Sequence, residues 1–522
     1  MSLHLSLHRG RGIHRTSTIV CAALLALAAL LMPSRGFAQG QSIGGGGGQT
    51  PPVRIIGTGS HLTPLATYGV FGFVCTVGST IVHAAIMPRE LTSAEVMRNG
   101  MTCFLGPAGW LLAGALFPEL NAPVPPKSPP SRSGQGGGGQ SGGGRGGFTA
   151  PPAGAFGFVP NEVLLRLRPN TNQAYVRRMA RQLGMTLLEA QDFTLTGDSI
   201  QRWRIDSGHS VASVIRALAR YGRVVAAQSN NYYRLMQQQA TAHRAQPNAA
   251  QYVIDKLHLV AAHRISGGED VAVAVIDSQI DDAHPELAGA VAERFDATGE
   301  PPAPHAHGTG MAGAVAAHGR LTGVAPRARL LAVRAFGSRA ASADGTTFNV
   351  LKGIDWAAGE GARVVNMSFA GPRDPMMAQM IRAADARGIV LIAAVGNAGP
   401  KSPPLYPGAY AQVIGVTATD ANDRLLAVAN RGPQVAVAAP GVEILLPAPG
   451  GGFQVTSGTS AASAHVSGVV ALLLARNPRL KPADIRRLLT ATASRLGEGP
   501  RVRDFGAGLV DPLKAVEAVA AR

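Results

Sequence analysis

The chain has 522 residues, which exceeds one ordinary hydrophobic core, so we expect two or three folded units. The formal net charge of +17 is concentrated early: residues 1–250 hold 22 Lys and Arg against 8 Asp and Glu, whereas residues 251–522 hold 26 against 23. No zinc-finger spacing or aromatic-basic RNA signature accompanies this charge, so we predict a solvated basic surface and no nucleic-acid partner. All three cysteines precede residue 104, which excludes a cysteine nucleophile or cysteine metal site from the remaining chain.

The first 38 residues have the pattern of an export signal. Three arginines precede an uncharged apolar run at 19–32, and Gly36 and Ala38 supply small residues at the usual cleavage spacing. An uncleaved membrane anchor is the alternative, although the run is short for a membrane span. We therefore predict a signal peptide over residues 1–38 and an exported protein, whether secreted, periplasmic or tethered to a membrane.

Residues 39–120 form a hydrophobic N-terminal region. Two apolar stretches, 66–87 and 101–117, contain no charged residue, and each is long enough to cross or nearly cross a bilayer as a helix. They predict either a two-helix membrane hairpin, with membrane association through residues 66–118, or a small buried helical hairpin. In a regular hairpin, Cys75 and Cys103 would lie too far apart for a disulfide.

A flexible spacer rich in Pro, Gly and Ser, residues 121–156, precedes a segment of different character, residues 157–236. This segment has strand-like runs at 162–168, 199–205 and 224–233, with two amphipathic helical patterns between them. The order predicts a compact α+β unit.

Residues 250–522 alternate strands and helices. Uninterrupted apolar runs occur at 271–276, 330–335, 364–367 and 389–395, with helical segments between them. Continuous β-branched runs are typical of strands that are buried on both faces. We therefore predict an α/β fold with a doubly wound, mostly parallel sheet and helices on both faces.

Three segments place reactive side chains where such a sheet collects them, at the carboxyl ends of strands and at the helix starts that follow. Asp277 ends an apolar run, His307 opens a helix-like stretch, and Ser460 precedes a helix of small residues. A serine hydroxyl needs an imidazole to take its proton, and the imidazole needs a buried carboxylate to hold its tautomer. Asn397, just past another buried strand, could supply a side-chain amide to the tetrahedral intermediate.

Each of these signals also has a plain structural interpretation. An aspartate at a strand end more often caps a turn, a His-Gly pair is usually in a loop, and Gly-Thr-Ser is a common helix N-cap. Their joint order and spacing resemble the subtilisin-like serine proteases over roughly residue 252 to the end. The resemblance implies a serine endopeptidase that acts through an acyl-enzyme, with Ser460 as nucleophile, His307 as base and acid, Asp277 as the orienting carboxylate and Asn397 as oxyanion donor.

The same resemblance assigns a substrate-binding cleft. Asp344 and Gly345 fall where the family pairs its backbone with an extended substrate. Two further segments match those that line the main specificity pocket: Ser368, Phe369 and Ala370, and Ala394, Val395 and Gly396.

Four residues depart from the family pattern but remove no reacting group: Gln279, Gly310, Ala461 and Ala464. Glu286 occupies an acidic position that often serves calcium in this family. Residues 317–323 nevertheless look shortened where the calcium loop would lie, so we expect no cofactor and doubt that calcium binds.

Residues 157–236 resemble the family's inhibitory prodomain in length, position and order of elements, although an unrelated binding module is the alternative. We therefore expect a zymogen that cuts itself between Leu235 and Asn248, with its own prodomain and peptides or proteins as partners. Two other functions stay open: an inactive homologue that binds extended peptides, and an esterase or acyltransferase that uses the same serine.

Overall fold

The structure is a computed structural model that describes residues 63–67, 70–77, 80–85, 147–149, 151, 157–236, 251–337, 344–497 and 503–519. The chain divides into two compact units, Met1–Gly138 and Gly139–Arg522. The predicted signal peptide lies outside the described residues, as do nearly all of the spacer and the stretch 237–250.

The first unit contains three antiparallel strands: β1, Thr63–Thr67; β2, Val70–Val77; and β3, Thr80–Ala85. The helix expected over residues 66–87 is therefore wrong for this part of the chain. Val, Phe and Thr supply six of the eight residues of β2, and β-branched and aromatic side chains favour strands over helices. The second apolar stretch, 101–117, lies outside the described residues, so membrane association through 66–118 stays a prediction.

The second unit begins with an α+β part, and its elements are β4, Phe158–Leu167; α1, Gln173–Leu183; β5, Met185–Phe193; β6, Asp198–Ile205; α2, Val211–Leu218; and β7, Val224–Leu235. The strands form an antiparallel sheet in the order β7-β4-β6-β5. Strand β5 was not expected from the sequence. It follows α1 directly because Gly184 adopts the left-handed conformation, with φ of 59°, that ends the helix.

The remaining part of this unit alternates strands and helices. Its described strands are β8, Ala272–Asp277; β9, Val291–Asp296; β10, Arg329–Arg334; β11, Asp344–Thr346; β12, Val364–Met367; β13, Phe369–Ala370; β14, Val390–Ala394; β15, Ile414–Thr419; β16, Val435–Pro440; β17, Ile444–Ala448; and β18, Gly452–Thr456. Its described helices are α3, Val253–Lys256; α4, Leu259–His263; α5, Ala306–Ala316; α6, Thr347–Gly359; α7, Pro375–Ala386; α8, Thr459–Arg476; α9, Pro482–Thr492; and α10, Pro512–Ala518.

Seven of these strands form one parallel sheet in the order β16-β15-β14-β12-β8-β10-β9. Val273 and Val275 of β8 pack in the core that includes α5 and α8, whereas Ala274 and Ile276 face the core that includes α6 and α7. Helices thus cover both faces, and the predicted doubly wound parallel fold is confirmed.

Helix α8 runs through the centre of this part. Among the described residues it is the one helix long and apolar enough to cross a membrane, but 89% of that window is buried inside the protein. A helix that is hydrophobic on every side and buried in this way is a core helix.

The α+β part lies against helices α6 and α7. Leu164 and Phe193 of its sheet belong to the same buried cluster as Phe348 of α6 and Met377 of α7. The rings of Phe193 and Phe348 meet edge to face with centroids 6.3 Å apart. The Asp355 carboxylate of α6 accepts backbone N–H groups from the turn after β5. This packing holds the α+β part, and with it the C-terminal end of β7, against α6 and α7.

Candidate active site

Three elements bring Asp277, His307 and Ser460 to one edge of the parallel sheet. Asp277 is the last residue of β8, His307 lies in the first turn of α5, and Ser460 is the second residue of α8. All three are buried, with at most 1% of their surface exposed. The carboxyl end of a central strand and two helix starts therefore converge, as the sequence pattern predicted.

These side chains form a continuous hydrogen-bonded chain. His307 Nδ1 lies 2.7 Å from Asp277 Oδ1 and 2.9 Å from Oδ2, and His307 Nε2 lies 3.0 Å from Ser460 Oγ. Since an ionised carboxylate only accepts hydrogen bonds, the Nδ1 proton faces Asp277 and Nε2 is left to accept from serine. The Ser460 hydroxyl also lies 2.8 Å from the Ser368 carbonyl oxygen, which offers its proton a second acceptor.

Asn397 faces the start of α8. Its Oδ1 accepts hydrogen bonds from Thr459 N at 3.2 Å and Thr459 Oγ1 at 2.9 Å. These two donors fix which end of the amide is the oxygen. The Nδ2 group is buried and has no hydrogen-bond partner. An unpaired buried donor is costly, about 1–3 kcal/mol, so this amide group near the start of α8 is available to an oxygen of a bound molecule.

The end of β7 and the residue after it occupy the cleft in front of Ser460. β7 lies antiparallel between β11 and β13, with Tyr233 opposite Gly345, Arg234 opposite Asp344 and Ala370, and Leu235 opposite Phe369. The end of β7 therefore adds a strand between β11 and β13, which belong to the part of the unit that follows residue 250. Five predicted substrate-binding residues contact this strand or its continuation: Asp344, Gly345, Ser368, Phe369 and Ala370.

Met236 brings this strand to the nucleophile. Its N–H donates to the Ser368 carbonyl at 3.2 Å, and its own carbonyl oxygen accepts the Ser460 N–H at 3.3 Å. Its side chain is buried in a small apolar cluster with Ala370, Ala394 and Leu405. Leu405 was missed from the sequence because it lies in an irregular proline-rich segment that has no periodic signal.

The other two residues expected in the pocket, Val395 and Gly396, make their contacts through backbone N–H groups. The Val395 N–H donates to Val416 O in the sheet, and the Gly396 N–H lies 3.3 Å from Thr459 Oγ1. Gly396 has φ of +108°, and a Cβ there would lie 2.7 Å from a Leu405 methyl group. Only glycine fits this position without strain.

Tyr233 fills a second pocket, of which the sequence analysis predicted Phe369 but not Gly371. It is completely buried, its ring meets Phe369 edge to face at 5.7 Å, and a Cβ on Gly371 would lie 2.5 Å from it. Burial raises the pKa of the Tyr233 hydroxyl well above its usual value, and the hydroxyl has no hydrogen-bond partner. The pocket therefore suits the ring of a phenylalanine better than that of a tyrosine, whose hydroxyl finds no partner there.

His305 is a neighbour of the triad that sequence reasoning passed over. Its Nδ1 lies 3.0 Å from Ser278 Oγ, and the same hydroxyl lies 3.0 Å from Asp277 Oδ1. Burial lowers the pKa of His305, which favours the neutral ring, and Nδ1 accepts the His307 N–H at 3.2 Å. His305 therefore helps to position both Asp277 and His307.

Glu286 does not fit a calcium ion. It is buried, and its carboxylate accepts backbone N–H groups from Gly319 at 3.2 Å, Arg320 at 2.9 Å and Leu321 at 2.8 Å. N–H groups present positive charge to the carboxylate, where a cation would need further oxygen ligands. Within the described residues no group of three or more His, Cys, Asp or Glu could hold a metal ion.

A buried Asp-His-Ser chain of hydrogen bonds at the edge of a doubly wound parallel sheet is the arrangement of serine hydrolases with a catalytic triad. Residues 268–508 match the subtilase family (Peptidase S8). The M-protease of Shouchella clausii (strain KSM-K16) is 36% identical over 265 residues, which cover 49% of this chain and 67% of that protein. Subtilisin Savinase of Lederbergia lenta is also 36% identical over 265 residues and is covered to 95% of its length. The chain belongs to the subtilase family and is a serine endopeptidase of the subtilisin-like type.

The likeness extends to a solved structure. Fervidolysin from Fervidobacterium pennivorans, a keratinolytic enzyme related to subtilisin, aligns with a TM-score of 0.59 and 24% identity. The alignment covers 71% of this chain and 63% of that chain. At this identity the comparison establishes the fold alone.

Proposed function

We propose that this protein is a serine endopeptidase that is made as a zymogen and cuts its own chain after Met236. One contact carries the proposal: the Met236 carbonyl oxygen accepts the Ser460 N–H, the position of an oxygen about to become an oxyanion. The bond that follows, between Met236 and Gln237, is then the one attacked. It falls within the predicted processing stretch between Leu235 and Asn248.

The proposed chemistry follows from the triad geometry. His307 Nε2 takes the Ser460 proton as Oγ attacks the carbonyl carbon, and Asp277 stabilises the imidazolium that forms. The developing oxyanion accepts hydrogen bonds from Ser460 N–H and from the otherwise unpaired Asn397 Nδ2. His307 then gives its proton to the leaving amine as the C–N bond breaks, which leaves the acyl group on Ser460. Water next attacks the acyl carbon, and His307 takes its proton and passes it to Ser460 Oγ as the ester bond breaks.

The contacts of residues 157–236 support a role as inhibitory prodomain. Side-chain oxygens of β7 cap both helices beneath it: Asn230 Oδ1 accepts Phe348 N at 3.1 Å, and Gln228 Oε1 accepts Met376 N at 3.2 Å. Unpaired N–H groups at helix starts favour such acceptors. After cleavage the strand that ends at Met236 would stay in the cleft as a bound product, which would keep the enzyme inactive until this segment is digested.

Self-cleavage is tested by the mass of the purified protein. The wild type should yield a mature chain that begins at Gln237 or shortly after it, before residue 250. Ser460→Ala should accumulate uncut, because the change removes the hydroxyl that His307 activates. As a matched control, Ser467→Ala removes a buried hydroxyl from the same helix and should be processed like the wild type. Normal processing of purified Ser460→Ala, with no other protease present, would rule out self-cleavage.

Two rival functions are distinguished by the same site. An inactive homologue that binds extended peptides would not need a triad with hydrogen-bond distances of 2.7 and 3.0 Å or an unpaired amide at Asn397. An esterase or acyltransferase would use the same serine, so matched peptide and ester substrates separate it from a peptidase. The backbone pairing of β7 with β11 and β13 favours peptides, because only an extended chain makes these bonds.

We also propose that the protein is exported. The support is the arginine-flanked apolar run at residues 19–32.

We propose that the peptidase part does not depend on calcium for its stability. The Glu286 carboxylate closes the 317–323 loop through three backbone N–H groups, so a chelator should leave the melting temperature unchanged. Glu286→Gln should lower the free energy of unfolding by about 1–3 kcal/mol, because it weakens this buried charge-assisted acceptor. Glu293→Gln, on the exposed face of β9, is the control and should have little effect. A large fall in melting temperature with chelator would contradict the proposal.

A further inference from the structure

Residues 233–236 show how the cleft treats each position of a bound chain. Counting from the residue at Ser460 toward the N-terminus, Met236 is position 1, Leu235 position 2, Arg234 position 3 and Tyr233 position 4. The side chains at positions 1 and 4 are buried in apolar pockets, whereas Arg234 keeps 43% of its side-chain surface exposed. The side chain at position 3 therefore contacts the solvent-exposed rim of the cleft.

Arg234 faces the carboxylate of Asp344 there. It is paired in register with Asp344 of β11, and Arg234 Nε lies 3.5 Å from Asp344 Oδ1. At this distance the contact is an ion pair, and Oδ1 itself is buried without a hydrogen-bond partner. Burial raises the pKa of Asp344 above its ordinary value, and the neighbouring Arg234 charge offsets only part of this rise. A cation at position 3 thus stabilises the charged form of a carboxylate that is partly removed from water.

The overall charge of the chain does not explain a preference for cations. Residues 251–522 hold 26 Lys and Arg against 23 Asp and Glu, so their long-range field does not attract a basic peptide. Any selection for positive charge at position 3 must come from a local group. Among the residues that the structure describes, Asp344 is the carboxylate paired with Arg234.

We propose that Asp344 makes this peptidase select substrates with arginine or lysine at position 3, two residues before the residue whose carbonyl is attacked. The inference rests on the proposed function, since it names the substrate class of that site. The apolar pockets at positions 1 and 4 supply most of the affinity, and Asp344 supplies the selection by charge. The prodomain end, Tyr-Arg-Leu-Met, is then both the inhibitor and a template for the preferred substrate.

The test compares kcat/KM of the mature enzyme on Tyr-Xaa-Leu-Met peptides with a fluorogenic amide leaving group, where Xaa is Arg, Gln or Glu. For a partly exposed pair, Arg should be cleaved about 2- to 5-fold faster than Gln, and Glu more slowly still. Asp344→Asn should make the three rates similar, and Asp344→Lys should invert their order. The wild-type ratio of Arg to Glu should fall as salt rises, because exposed charges are screened.

Glu360→Gln is the matched control. It removes a carboxylate from the exposed C-terminal end of α6, the helix that begins beside Asp344, and should keep the wild-type order. If Asp344→Asn keeps the wild-type preference for Arg over Glu, the proposal is overturned. Failure of all three peptides to be cleaved would instead count against the proposed function.

A second measurement tests the ion pair without catalysis. In the full-length Ser460→Ala chain, Arg234→Glu should lower the melting temperature, and adding Asp344→Lys should restore it. The double-mutant cycle should show a coupling of about 2- to 5-fold in the unfolding equilibrium. Purely additive effects would show that Asp344 does not recognise the charge at position 3, whatever the peptides do.

Discussion

Replacing Ser460 by alanine should lower peptide hydrolysis by about 10⁴-fold or more while the protein stays folded. The change removes the nucleophile that His307 activates at 3.0 Å, and no neighbouring hydroxyl occupies the same place. The structural cost is small, because the lost hydrogen bond to the Ser368 carbonyl is worth about 1 kcal/mol. Initial rates on a fluorogenic peptide, with circular dichroism of both proteins, provide the measurement.

His307→Ala should reduce hydrolysis to a similar level, because the serine hydroxyl is a weak nucleophile without a base. The double variant should be no worse than either single variant, since the triad acts as a unit. Ser467→Ala, two turns along α8, should retain wild-type rates. A Ser460→Ala protein that keeps wild-type hydrolysis would contradict the assignment of the triad.

Asn397→Ala should lower kcat by about 10²–10³-fold with a much smaller change in KM. Its Nδ2 is buried and unpaired in the structure, so it gains a partner only when an oxyanion forms. An interaction made only in the transition state acts on kcat rather than on substrate binding.

Asn477→Ala is the matched control, because this buried amide lies at the far end of α8 and should leave kcat unchanged. If Asn397→Ala raised KM and left kcat intact, the side chain would bind the substrate and would not stabilise the oxyanion.

The parallel sheet could be predicted because its signal is local. Runs such as residues 271–276 and 364–367 are apolar without alternation, and this pattern needs burial on both faces. The placement of Asp277, His307 and Ser460 followed from the same reasoning, since each lies at a strand end or helix start that is visible in the sequence. The sheet then brings together residues that are up to 183 positions apart.

Other features depend on tertiary contacts that no local pattern encodes. Leu405 and Gly371 reach the cleft from irregular segments, and the half-buried His305 has no sequence signature beyond its proximity to His307. The apolar stretch that contains β2 and β3 predicts a helix when composition alone is weighed, because a long apolar run fits both structures. The β-branched and aromatic content of β2, and the Gly-Ser pair that follows it, were the stronger indication.

The register of the bound strand is the finest detail that the sequence left open. The sequence predicts only that the cut falls between Leu235 and Asn248. Contacts across β11, β13 and α8 are needed to place Met236, and no other residue, against Ser460. A shift by one residue would bring a different carbonyl to Ser460 and would turn every side chain of the strand to the opposite face.

The most direct test of the catalytic assignment is labelling of the mature wild-type protein with a fluorophosphonate, followed by peptide mass spectrometry. The probe reacts with a serine that a neighbouring base activates, so we expect one adduct, on Ser460, that is lost in His307→Ala. Preincubation with a peptide that ends in Tyr-Arg-Leu-Met should slow the labelling, because that sequence fills the same cleft. Absence of an adduct on Ser460 in folded, processed protein, or an adduct on a different serine, would contradict the account.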